Sequence, residues 1–240
     1  WVDPAWFIRT FFTTSCHKDK LMVESSVDFS VIIPAYNEGQ VIGPVIQRLV
    51  RHLDSLNRDY EILVISDGST DETNSIVEDF GEPVRLIELP YNTGNGAAVK
   101  TGIRRASGDM IICMDADGQH APEDVEKFLK ECERYDMVVG ARIKGSQAGI
   151  HRSIANSLYN LFASYVTGRR IEDLTSGFRA MKTDIARRFV GLLPNGFSYP
   201  TTITLCMLRA GYSVKYIPIT TAKRVGKSKI RILSDGPKFL

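Results

Sequence analysis

The chain has 240 residues, 43% hydrophobic and 24% charged, with 30 Lys and Arg against 28 Asp and Glu. That length can bury a real core, and an α/β fold of this size is commonly one domain. The near-balanced charge excludes the strongly basic profile of a nucleic-acid binder, and with no run of about 18 apolar residues the sequence predicts no membrane span.

Residues 1–28 stand apart as an N-terminal extension. Asp3 and Pro4 read as the cap and first turn of a short apolar helix carrying Trp6, Phe7, Ile8, Phe11 and Phe12; it receives no chemistry. From Phe29 onward strands and helices alternate. The predicted strands are Phe29–Pro34, Tyr60–Ser66, Val84–Leu89, Met110–Met114 and Met137–Gly140. Between the first two, Val41, Ile42, Val45, Ile46, Leu49, Val50 and Leu53 recur at spacings of three and four, one apolar stripe of a sheet-facing helix. Asp71, Gly94 and Pro122 mark later helix starts. Repeated βα units imply a mostly parallel sheet with helices on both faces and ligands at the carboxyl ends of the strands.

Motifs gather at those ends. After the first strand come Pro34, Ala35, Tyr36, Asn37 and Glu38, and after the second Asp67, Gly68, Ser69, Thr70 and Asp71. Asn92–Gly96 follows the third, its glycines permitting close approach of backbone to a ligand. It lacks the third glycine of a dinucleotide fingerprint and follows the wrong strand for one. The fourth strand runs directly into Asp115, Asp117 and Gln119. Side chains two apart on an extended backbone point the same way, so this is a hard, all-oxygen cation site suited to Mg²⁺ or Mn²⁺. Singly, each motif is an ordinary turn or cap. Turn chemistry alone does not require paired acids on one sheet edge.

Cys16, Cys113, Cys132 and Cys206 form no Cys-x-x-Cys pair, which predicts reduced thiols in a cytosolic setting. Residues 151–167 predict an amphipathic helix with Ile154, Leu158, Leu161, Phe162 and Tyr165 on one face. The C-terminal end is basic: Lys215, Lys223, Arg224, Lys227, Lys229, Arg231 and Lys238 face only Asp235. Such a run is either a solvated tail or a seeker of anions.

In order, VIIPAYNEG, SDGSTDET, NTGNGAAVKTGIRRASGD, MDADGQH, VVGARIKG, TSGFRAM and RVGKSK resemble the family 2 glycosyltransferases that load sugars onto polyprenyl phosphates, the dolichol-phosphate mannosyltransferase-like group. The resemblance covers roughly Phe29 to Arg231 and implies a GT-A catalytic domain over 29–240. It implies that Pro34, Ala35, Tyr36, Glu38, Asp67, Asn92 and Gly94 line the site of a nucleoside-diphosphate sugar. Asp115, Asp117 and Gln119 would hold the metal on the diphosphate. Arg142, Arg152 and Asn156 would hold the phosphate of a polyprenyl lipid, while Arg224, as a catalytic group, and Lys227 would close over the donor. The amphipathic helix would meet the membrane surface, on its cytoplasmic face. Ser66 and Asn95 stand where many relatives have an acid and a lysine, which bears on nucleotide choice.

The implied reaction is inverting transfer of a sugar to the lipid phosphate. An acceptor phosphate is already a nucleophile at neutral pH; a glycan hydroxyl would need a base, for which Asp173 is the candidate. The alternatives are such a glycan-extending enzyme and a non-catalytic nucleotide-sugar-binding domain.

Overall fold

The computed structural model describes residues 27–143 and 150–222, with the backbone alone described for 150–158. The predicted N-terminal helix and the basic residues from Lys223 onward lie outside the described residues.

The first strand, β1 (Phe29–Ala35), is buried along its whole length. Its pleat sends Val31 and Ile33 to one face of the sheet and Ile32 to the other, so both faces must be covered by helices. On one face lie α1 (Ile42–Leu53), α2 (Thr73–Glu78) and α4 (Asp124–Cys132). On the other lie α3 (Asn95–Arg105), α6 (Thr183–Phe189) and α7 (Tyr199–Arg209). The remaining strands are β2 (Tyr60–Ser66), β3 (Val84–Glu88), β4 (Met110–Cys113), β5 (Met137–Arg142), β6 (Arg179–Lys182) and β7 (Val214–Ile219), and α5 spans Ile150–Thr167.

The sheet has seven strands in the order β3-β2-β1-β4-β6-β5-β7. All pairings are parallel except those of β6, which runs antiparallel to both β4 and β5. The five predicted strands are present, with β5 two residues longer than expected. β6 and β7 were not predicted. β6 is only four residues and opens with a charged side chain, so no apolar run announces it. β7 carries Lys215 and Pro218, which read against a central strand; it is an edge strand, where a missing N–H is tolerated.

The register levels the motifs. Ala35 pairs with Ser66, and Ile32 with Cys113, so two residues further on Asp115 comes level with Pro34. Because β6 is antiparallel, the segment before it, Ser176–Phe178, reaches the same edge.

α5 packs inward through Ala163 and Tyr159 against Ile171, Leu174, Leu205, Leu208 and Tyr216. Its other apolar stripe faces out: Leu161, Phe162 and Tyr165 are 69%, 61% and 86% exposed, with Val166 beside them. Among the described residues no helix is long and apolar enough to cross a membrane.

Candidate active site

The β1 and β2 loops form one wall because each supplies the other's missing partners. Asn37, at φ 48°, turns the chain out of β1. Its Oδ1 accepts the Thr70 amide at 2.8 Å, and its own amide donates to Ser69 Oγ at 3.1 Å. The next two amides, of Glu38 and Gly39, donate to Thr73 Oγ1 and Asp71 Oδ2. Asp71 also accepts the Thr73 amide and hydroxyl; burial alone would raise its carboxyl, but these bonds from Thr73 and Gly39 outweigh it and hold the group below the usual range. The Glu38 carbonyl accepts the amides of Val41 and Ile42 at the start of α1. Pro34 and Ala35 are buried inside β1, so the accessible part of this wall is Tyr36–Glu38.

Asp67 is 3% exposed. Its two carboxylate oxygens accept the amides of Thr93 and Gly94 at 2.7 and 2.8 Å, folding the Asn92–Gly94 loop onto the end of β2. The close approach allowed by the glycines is to the chain's own backbone. A Cβ on Gly94 would fall 2.5 Å from the Asn195 carbonyl oxygen, and one on Gly96 would overlap the Pro194 carbonyl. Lys100 ties the same loop, donating to the Leu193 carbonyl at 3.0 Å and to Asn195 Oδ1. In the sequence these glycines point to a ligand; the 193–196 loop as their neighbour has no sequence signal.

Beyond β4 the chain bends into a turn at Ala116 and Asp117 in place of the expected extended backbone, with Ala116 in the core and Asp115 and Asp117 flanking it. Asp117 is 6% exposed, and its Oδ1 accepts the Gln119 amide at 3.1 Å across Gly118, which sits at φ +72°. The Asp115 side chain is 39% exposed, with His120 Nε2 3.6 Å from its Oδ2. The Gln119 side chain donates through Nε2 to the Ala222 carbonyl at 3.1 Å, and its backbone oxygen accepts the Ala222 amide at 2.9 Å. Gln119 thereby clasps the segment after β7 at Ala222.

At the end of β5, Arg142 forms a two-pronged pair with Asp173, Nε to Oδ2 at 2.8 Å and Nη2 to Oδ1 at 2.9 Å. Nη2 also donates to Thr175 Oγ1. Burial alone would lower the Arg142 guanidinium, but the bonds and charge of Asp173, helped by Asp115, outweigh it and raise it further. The structure thus brings Arg142 to the field of Asp115, yet with two of its nitrogens committed to Asp173. Arg152 and Asn156 belong to α5, whose side chains are not described there, and Arg224 and Lys227 lie outside the described residues.

Among the described residues no three acids, histidines or cysteines cluster as a complete metal cage. The donor set still fits a hard cation: such ions commonly take one or two carboxylates and fill the remaining positions with water and substrate phosphate oxygens. Asp115 and Asp117 are that kind of set.

Residues 30–190 match the family described as Glycosyl transferase family 2. The chain belongs to this glycosyltransferase family. It is 30% identical over 185 residues to undecaprenyl-phosphate 4-deoxy-4-formamido-L-arabinose transferase of Photorhabdus laumondii, covering 72% of this chain and 57% of that one. It is 30% identical over 169 residues to dodecaprenyl-phosphate galacturonate synthase of Rhizobium johnstonii, covering 68% and 50%. The chain therefore spans little more than half the length of these relatives. Glucosyl-3-phosphoglycerate synthase of Mycobacterium tuberculosis, crystallised with Mn²⁺, UDP and phosphoglyceric acid, is 20% identical with a TM-score of 0.69, over 90% of this chain and 75% of that one. That likeness shows a GT-A-like fold, as the seven motifs implied. Within the family 2 fold, the motif least used by the sequence reading, TSGFRAM, turns out to supply the antiparallel β6 and the segment beside Asp115.

Proposed function

We propose that this chain transfers a sugar from a nucleoside diphosphate to the phosphate of a polyprenyl lipid, with inversion at the anomeric carbon, at the cytoplasmic face of a membrane. The observation that carries the reading is the acid pair Asp115 and Asp117 at the carboxyl end of β4 in a family 2 fold. Asp115 and Asp117, with Gln119 as a third oxygen, would hold Mg²⁺ or Mn²⁺. When bound, the ion supplies Lewis-acid neutralisation of charge on the departing nucleoside diphosphate.

The state of Asp173 bears on the acceptor. Its carboxylate already accepts the Arg142 amide, Nε and Nη2 and the Thr175 amide. A carboxylate so engaged is poorly placed to take a proton from a sugar hydroxyl. A phosphate acceptor, with a second pKa near 6, arrives as a nucleophile and needs no base. The polyprenyl-phosphate acceptors in the names of the Photorhabdus and Rhizobium relatives support the same choice.

The chain's residues then divide the work. Tyr36, Glu38 and the Asp67-held loop at Asn92 and Gly94 shape the nucleoside side. Arg152 and Asn156 hold the acceptor phosphate, with Arg142 contributing charge while Asp173 sets its direction. Arg224 and Lys227 draw over the donor diphosphate from the segment that Gln119 clasps. The outward apolar stripe of α5 lies in the lipid interface, with exposed Arg169 and Arg170 at its end to meet anionic headgroups.

The test is incubation with a panel of UDP- and GDP-sugars and a short polyprenyl phosphate, with and without Mn²⁺. A lipid-linked sugar of inverted anomeric configuration is expected, only with metal. Transfer to a free glycan in its place would replace the acceptor assignment. Asp117→Asn keeps the shape of the side chain and removes its charge; it should lower turnover at least about 100-fold without moving the melting temperature. Full turnover by that variant would remove the metal site from the mechanism.

A further inference from the structure

Opposite Asp115 the site is built by a segment to which no role has been given. β6 enters the sheet against the direction of β4, pairing Arg179 with Cys113, and so delivers Ser176 and Gly177 to the Asp115 edge. A Cβ on Gly177 would fall 2.8 Å from Asp115 Oδ2 and 3.1 Å from Oδ1. The Gly177 backbone lies outside the left-handed region. What the missing side chain provides there is contact with the carboxylate rather than conformational freedom.

Behind this contact stands Arg179, the largest fully buried side chain among the described residues. Its Nε donates to the Ser176 carbonyl at 3.2 Å, and Nη2 donates to the same oxygen. Nη1 reaches the Pro200 carbonyl at 2.9 Å and Thr204 Oγ1 at 3.1 Å, and the guanidinium lies 5.9 Å from the centre of the Tyr199 ring. Arg179 belongs to none of the ion pairs among the described residues. A guanidinium taken out of water is costly, and an apolar side chain of similar volume commonly serves stability as well or better. Here the rigid fork is shared between α7, through the Pro200 carbonyl and Thr204 Oγ1, and the Ser176 carbonyl, which takes two of its nitrogens and leads into Gly177.

We propose that Arg179 and Gly177 are positioning residues: the buried guanidinium fixes the Ser176–Gly177 backbone as a rest that sets the Asp115 carboxylate for its cation. The inference rests on the reading of Asp115 and Asp117 as the cation site. Groups that orient a metal-binding side chain typically matter by 10–100-fold in metal affinity, which sets the size of the effect.

Gly177→Ala tests it directly, because alanine is allowed by the backbone and its methyl can be accommodated only by moving Asp115. Gly191→Ala is the control, an exposed glycine with nothing within 4 Å of an added Cβ. Mn²⁺ binding to the full chain in the presence of UDP or GDP is read by electron paramagnetic resonance, independently of turnover, alongside thermal melting. Gly177→Ala should melt with the control and bind Mn²⁺ at least about 10-fold more weakly. Arg179→Lys, which keeps the charge and loses the fork, should shift binding in the same direction. Equal Mn²⁺ affinity in Gly177→Ala and the control overturns the proposal while leaving the metal reading intact. Joint loss of melting temperature and affinity in Gly177→Ala makes the segment structural and overturns it too. An unaltered chain that binds no Mn²⁺ with either nucleotide removes the metal reading and this proposal together.

Discussion

Asp67 illustrates how one carboxylate can shape a site through the backbone it holds. Each of its oxygens takes one backbone amide of the Thr93–Gly94 turn, and hydrogen bonds to a charged acceptor are worth about 1.5–3 kcal/mol. Asp67→Asn can satisfy only one amide and turns a second N–H against the other. We expect a loss of about 2 kcal/mol in urea unfolding and, with the loop at the proposed donor side, a raised KM for the nucleotide sugar. Unchanged stability and KM would show that the loop holds itself. The Cys113 thiol on β4 is inert by burial, which pushes it up to about 12 against the opposing pull of Arg179; thiol reagents should leave it unmodified in the folded chain.

At the scale of elements, two helices make contrasting use of small and large residues. α3 approaches β1 so closely that a Cβ on Gly102 would overlap the Ile32 side chain. Overpacking such a contact costs about 1–3 kcal/mol, so Gly102→Ala should lower the urea midpoint, and an unshifted midpoint would mean that Ile32 can turn aside. On α5 the exposed stripe does nothing for the fold. Replacing Leu161, Phe162 and Tyr165 together by Ser should leave melting unchanged. Each such side chain contributes about 1.5–3 kcal/mol when removed from water, so the triple variant should lose at least about 100-fold of its partitioning onto anionic vesicles in a flotation assay. Vesicle binding equal to that of the parent would remove this stripe from the proposed lipid contact.

Across the whole molecule, the sheet is closed at its far end by an acid remote from the site. Asp136 accepts the Ser213 amide and hydroxyl at 2.9 and 2.7 Å and Lys182 Nζ at 3.3 Å, joining β5, β6 and β7. Burial alone would raise this carboxyl; the Ser213 bonds and then Lys182 outweigh it and hold it below its usual range. A depressed folded value means that the stabilisation is complete above the unfolded value, about 3.9, and fades as pH falls through the folded one. Asp136→Asn should therefore be less stable than the parent near pH 7, with the difference shrinking below about pH 4. A difference that stays constant with pH would mean that the amide serves as well as the charge.

Much of this was legible in the residues alone. β1, β2 and β4 are apolar runs buried on both faces, and such runs announce themselves without partners. Their common edge followed from the rule that parallel strands end together, while the period of two expected for Asp115 and Asp117 gives way to a turn at Ala116 and Asp117. Arg142 and Asp173 both stand out in the sequence, but for different tasks; only the fold joins them, because the two residues are 31 apart in sequence and neighbours in space. β6 itself was invisible, since a four-residue strand led by an arginine has no local signature, and its place between β4 and β5 is set by long-range pairing. For the same reason the glycines of Asn92–Gly96 could be seen as points of close approach, while the 193–196 backbone that they approach, and the contact of Gly177 with the Asp115 carboxylate, were decided by tertiary packing.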